Sequence, residues 1–107
     1  MMALYMTAWD IPTDEALLNE YNVKSKEWVA MIMRQPGVKE FRAYRDPLRN
    51  SPDVMVHIEF DSLESVIKYL KSDDCNKATS EMIELGCSGF VNEMWDASPL
   101  VPEPIRP

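Results

Sequence analysis

Two periods of apolar residues run through the chain. Over residues 54–60 the period is two. Val54, Val56, Ile58 and Phe60 fall on one face, and Met55, His57 and Glu59 on the other, the alternation of a half-buried strand. Residues 38–46 read as a second strand, with Phe41 and Ala43 on the packed side and Glu40, Arg42 and Tyr44 opposite. Residues 2–9 form an apolar opening strand. A closing strand near residues 89–96 fits two registers: one turns Val91, Glu93 and Trp95 outward, and the other favours Phe90 and Met94.

Between these strands the period lengthens. Leu17, Tyr21, Trp28, Met31 and Ile32 recur at three- and four-residue steps, one stripe of a helix over residues 13–35. Thr13 suits its N-cap, Asp14 and Glu15 suit its positive end, and Pro36-Gly37 stops it. Leu63, Val66, Ile67 and Leu70 make a second stripe after Asp61-Ser62-Leu63-Glu64, which has the spacing of a capping box. Ser72-Asp73-Asp74 offers a further cap, with Cys75, Ala78 and Met82 behind it, and Gly86 is a C-terminal stop. The second crossover is therefore expected to be two helices with a kink.

The resulting order, β-α-β-β-α-β, is the ferredoxin-like split βαβ arrangement. An α+β domain is expected over residues 1–96, with a four-stranded antiparallel sheet and its helices on one face. Residues 97–107 carry four prolines and read as an extended arm. To be ordered, that arm has to rest on a partner subunit or on its own chain.

Charge and composition narrow the partners. The net charge of -7, without a lysine or arginine cluster, argues against nucleic acid and anionic membrane surfaces. No apolar run spans a bilayer, and no basic region precedes the apolar start, so the cytoplasm is the expected location. Cys75 and Cys87, twelve residues apart, read as free buried thiols. One histidine and two distant thiols do not make a zinc site, and three glycines make no phosphate loop. No metal and no cofactor is expected.

The sheet face away from the helices is expected to carry Tyr5, Thr7 and Trp9, then Arg42 and Tyr44, then Met55, His57 and Glu59, and Val91, Glu93 and Trp95. So aromatic a face calls for cover. A second copy packed against it closes a barrel of two sheets, so a homodimer is expected.

Pro36-Gly37-Val38 leading into Phe41-Arg42-Ala43-Tyr44-Arg45, then Phe60-Asp61-Ser62-Leu63-Glu64, Tyr69-Leu70-Lys71-Ser72-Asp73 and the strand near Trp95 resemble the dimeric α+β barrel superfamily. In particular they are similar to antibiotic-biosynthesis-monooxygenase-like domains, over residues 2–96. The resemblance implies a cofactor-independent monooxygenase of a small aromatic or quinol-like compound, a haem-degrading enzyme or an isomerase. Against haem-degrading members, Tyr69 stands in place of a tryptophan and Thr79 in place of the haem-ligating histidine. No asparagine lies among Ala3–Trp9 to match theirs. Threonine offers iron no imidazole, which argues against haem degradation.

His57 is the only histidine, with Glu59 two residues along on the same face. A carboxylate beside an imidazole suits a general base, so His57 is the candidate catalytic residue. Arg42 would hold a phenolate, with Glu59 orienting the imidazole. Trp9, Tyr44 and Trp95 would stack on a ring, and Tyr69 would border a pocket below the helices. A polar His57–Glu59 pair within a dimer interface, in a non-catalytic binding or assembly module, is the competing reading. Trp28 reads as core, the eight methionines as packing or an adaptable pocket lining, and residues 71–74 as a solvated junction.

Overall fold

The computed structural model describes residues 2–48 and 50–107. Met1 and Arg49, the first residue of the expected domain and one residue of the expected hairpin tip, lie outside the described residues. The elements are β1 (Ala3–Asp10), α1 (Glu15–Met33), β2 (Val38–Arg45), β3 (Val54–Phe60), α2 (Leu63–Leu70), α3 (Asp73–Glu84) and β4 (Ser88–Asp96). They form the expected α+β ferredoxin-like fold: one antiparallel sheet in the order β2-β3-β1-β4, with the two crossovers packed on one face.

Each helix starts at a side-chain oxygen. Asp14, not Thr13, caps α1, accepting from the Leu17 amide at 3.0 Å. Ser62, rather than Asp61, caps α2, and Asp61 instead takes the Ser65 hydroxyl at 2.6 Å. Ser72 caps α3 as expected, through the Cys75 amide. Each cap satisfies one otherwise unpaired amide. The kink between α2 and α3 falls at Lys71-Ser72, where the cap ends one helix and starts the next.

Gly37 is required where α1 turns into β2. Its φ is +86°, and a Cβ there would meet Asp61 Oδ1 and Ser65 Oγ at 2.5 Å. The close approach lets the Gly37 carbonyl accept from the Asp61 amide at 2.8 Å, which ties the start of β2 to the end of β3.

The core fills the space between helices and sheet. Phe60, Ile58 and Val66 are its most enclosed large side chains. Tyr21, Trp28, Met31 and Ile32 descend from α1 as the stripe predicts. In α2 the buried pair is Val66 and Tyr69, while Leu63 and Ile67 of the expected stripe are exposed. The arm does not pack on its own chain: Leu100 is 90% and Ile105 81% exposed.

One expected face is reversed. Tyr5, Thr7 and Trp9 point toward the helices, not away from them. Tyr5 pairs across from Ile58 and Thr7 from Val56, so they share the buried side of β3, and Tyr5 and Trp9 belong to the core. β1 is apolar on both sides, Ala3, Tyr5 and Trp9 against Leu4, Met6 and Ala8, so alternation alone does not orient it. Polar tips decide: inside, the Trp9 indole donates to the Tyr21 hydroxyl at 3.0 Å and the Tyr5 hydroxyl to Asn92 at 3.0 Å. An aromatic ring that is buried and also hydrogen-bonded at its tip gains from both.

Candidate functional site

The sheet separates two groups of residues that the sequence suggested as one site. Trp9 and Tyr69 lie on the helix side, and Arg42, Tyr44, His57, Glu59 and Trp95 lie on the open side. A compound touching Trp9 and Tyr69 from within the helix layer cannot also touch His57.

The open side follows from the register. Arg42 is directly across from His57, and Tyr44 from Met55. Met6 lies across from both His57 and Glu93, and Leu4 across from both Glu59 and Trp95. β4 thus adopts the register that turns Val91, Glu93 and Trp95 outward. The Tyr44 and His57 rings sit 5.1 Å apart. Arg42 is held by Glu40, Nε to Oε1 at 2.6 Å, which raises the affinity of its guanidinium for its proton. Trp95 lies two strands from Glu59, about 10 Å at ordinary strand spacing, and its indole donates to Glu93 at 3.2 Å. Among the described residues no hydrogen bond joins His57 to Glu59.

The helix side holds a cavity of about 560 Å³, within the range of small-molecule sites. Its walls are aromatic and aliphatic: Trp9, Trp28, Phe41, Val56, Tyr69 and Phe90 contribute from four strands and two helices. Among the described residues no charged side chain lines it. Burial pushes the Tyr5, Tyr21 and Tyr69 hydroxyls and the Cys75 thiol up from their ordinary pKa values, so these groups stay neutral at physiological pH. The ring pairs Tyr5–Tyr69 at 6.4 Å, edge to face, and Phe60–Tyr69 at 5.8 Å hold Tyr69 in the wall.

The polar groups of this cavity are few. Ser25 comes from α1, Asn76 and Thr79 come from α3, and Thr7 and Asn92 meet where β1 pairs with β4. Asn92 Oδ1 accepts from the Tyr5 hydroxyl at 3.0 Å and the Thr7 hydroxyl at 2.7 Å. Thr79 turns its hydroxyl back onto the Cys75 carbonyl at 2.9 Å. Sequence reasoning assigned no binding role to Asn92, Asn76 or Ser25. The one signal was a polar residue at the helix-facing phase of β4, visible only once the register of β4 is known.

The described residues contain no cluster of histidine, cysteine and carboxylate side chains fit to hold a metal ion. No helix is long and apolar enough to cross a membrane.

No family model matches the chain, and no curated protein matches it. Solved structures do. The cofactor-independent oxygenase SnoaB of Streptomyces nogalater, in a mutant form, superposes with a TM-score of 0.73 at 14% identity, over 95% of this chain and 98% of that one. A protein of Deinococcus radiodurans described as a candidate antibiotic biosynthesis monooxygenase superposes at 0.74 and 13% identity, over 99% and 97%. A dimeric protein of unknown function and ferredoxin-like fold from Bacteroides fragilis superposes at 0.70 and 14% identity, over 88% and 94%. The chain has the fold of antibiotic-biosynthesis-monooxygenase-like proteins. At these identities the likeness is one of fold, as the resemblance in the sequence implied.

Proposed function

We propose that this chain is a cofactor-independent monooxygenase of a small aromatic or quinol-like compound, held in the cavity between helices and sheet. The observation that carries the reading is that cavity: lined by aromatic rings, free of charged side chains among the described residues, and set in a fold shared with an oxygenase. An activated CH₂ group of the substrate, in its keto form, supplies the electrons. One oxygen atom of O₂ enters the product as a carbonyl, and the other leaves as water with the two hydrogens of that group. The cavity's part is to hold the ring and exclude bulk water.

The working unit is a homodimer closed through the open face. Tyr44, Val91 and Trp95 are 42%, 45% and 57% exposed there, with Leu4, Met6 and Met55 between them. Contiguous apolar surface of this kind is the usual mark of an interface. His57, Arg42 and Glu59 then lie within the barrel. His57 acts as a base only on a compound bound on that side.

Oxygen uptake by the protein over a panel of hydroquinones and polycyclic phenols tests the reading. Ala43→Trp, which fills the cavity from its rim, should reduce uptake at least about tenfold, in line with the cost of misplacing a bound substrate. His57→Ala should leave uptake unchanged. Loss in His57→Ala with no effect of Ala43→Trp would move the site to the open face. No uptake with any compound from a folded dimer would leave a non-catalytic binding module.

A further inference from the structure

We infer that Asn92 is the specificity-determining residue of the cavity: its amide receives a carbonyl oxygen of the ligand, with Tyr5 and Thr7 as positioning residues. This rests on the proposal that the cavity is the ligand site. An amide oxygen has two lone pairs, and here both are taken, one by the Tyr5 hydroxyl at 3.0 Å and one by the Thr7 hydroxyl at 2.7 Å. In this arrangement the oxygen is the end turned toward the two hydroxyls. The nitrogen, with its two protons, makes no hydrogen bond to the protein among the described residues, although Asn92 lines the cavity.

A fixed donor at the edge of an apolar, uncharged cavity selects on chemistry rather than shape. It favours a neutral planar compound carrying an acceptor oxygen over the same skeleton without one, because only the former replaces the water that the amide gives up. Of the other polar groups, the Ser25 hydroxyl donates to the Asn22 carbonyl at 2.8 Å, and the Asn76 amide lines the cavity with no hydrogen bond among the described residues to hold it in one orientation. The Thr79 hydroxyl is spent on the Cys75 carbonyl at 2.9 Å, and the Trp9 indole on Tyr21 at 3.0 Å. The Asn92 site also joins three residues from distant parts of the chain, Tyr5 and Thr7 in β1 and Asn92 in β4, so its geometry is set by the sheet and not by a mobile loop. If the ligand's oxygen gains negative charge during reaction, the same amide is placed to stabilise it.

The test uses 9-fluorenone and fluorene, which share one planar tricyclic skeleton and differ in the carbonyl. Binding is read from quenching of the Trp9 and Trp28 fluorescence, and checked by calorimetry. Asn92 lies at the solvent-exposed rim, so the native protein should bind fluorenone about fivefold more tightly than fluorene, the net worth of one hydrogen bond that competes with water. Asn92→Asp keeps the two acceptor contacts but removes the donor, and should abolish or invert that preference while fluorene binding persists. Asn92→Leu, which keeps the branched shape without a donor or acceptor, should abolish it too. Thr7→Val should narrow the preference by freeing the amide to turn, without abolishing fluorene binding. A purely structural role would weaken both ligands alike. An unchanged fluorenone preference in Asn92→Asp and Asn92→Leu would overturn the assignment and leave the cavity as a binding site. Failure of the native protein to bind either compound would overturn the cavity reading, and this assignment with it.

Discussion

The Trp9 indole and the Tyr21 hydroxyl meet at 3.0 Å inside the core, and what that contact replaces is water. Tyr21→Phe removes the acceptor and leaves a buried N–H with nothing to donate to, so unfolding in urea should show a loss of about 1–2 kcal/mol. Gly37→Ala should cost at least about 1 kcal/mol, because the positive φ and the crowding of Asp61 and Ser65 oppose a Cβ together. The second of these positions is legible in the sequence, where Pro36-Gly37 marks a turn. The first is not. Trp9 looks like a residue of the open face because Leu4, Met6 and Ala8 make the other phase of β1 equally apolar. The partners at the ring tips, Tyr21 for Trp9 and Asn92 for Tyr5, lie in other elements and break the tie.

Elements meet through side chains that no periodicity in one segment announces. α1 and α3 are clasped at Glu81, which pairs with Lys24 at 2.7 Å and accepts from the Trp28 indole at 3.4 Å. Lys24 and Trp28 together hold the Glu81 carboxyl below its ordinary range. A lowered folded pKa means that the stabilisation is present above the ordinary glutamate value of about 4.3 and is lost as pH falls through and below it. Glu81→Gln should flatten that part of the stability–pH curve in thermal unfolding at a series of pH values. The change should be no more than about 1 kcal/mol, since the pair is partly solvated. The stripe of α1 was readable because a nineteen-residue helix buries one face over several turns. The stripe of α2 was not, because an eight-residue helix needs only two buried side chains, and Val66 and Tyr69 serve as well as the longer apolar set. Cys87, behind α3, has its thiol pushed up to about 11 by burial. Its reaction with iodoacetamide at neutral pH should be slow until the chain unfolds.

At the scale of the whole molecule, the order of elements was enough to read the fold, and the face of β1 was what it could not settle. That one reversal divides the site. Tyr69 and Trp9 join the cavity, while His57, Arg42, Tyr44, Glu59 and Trp95 go to the side proposed for dimerisation. Met6 lies near the middle of that side, in register with His57 and Glu93. Met55→Lys, on the same side and in register with Ala8 and Tyr44, should convert a dimer into a monomer in sedimentation experiments and leave the helix-side core intact, because an ammonium with no carboxylate across from it, buried between two sheets, costs several kcal/mol.

The pairing of Ala3 with Asp96 places the start of β1 beside the end of β4, at one end of the sheet. The loop at residues 46–53 lies in a different hairpin, between β2 and β3. The order in which the strands are threaded is therefore not what holds them together. A linker of a few residues from the end of β4 to the start of β1, with new ends opened in the loop, should give a circular permutant with the same sheet. A longer linker from the arm of one copy to β1 of the next should give two domains in a single chain. Such a tandem would let Asn92→Asp be installed in one half alone, so that the two cavities of a dimer could be titrated separately.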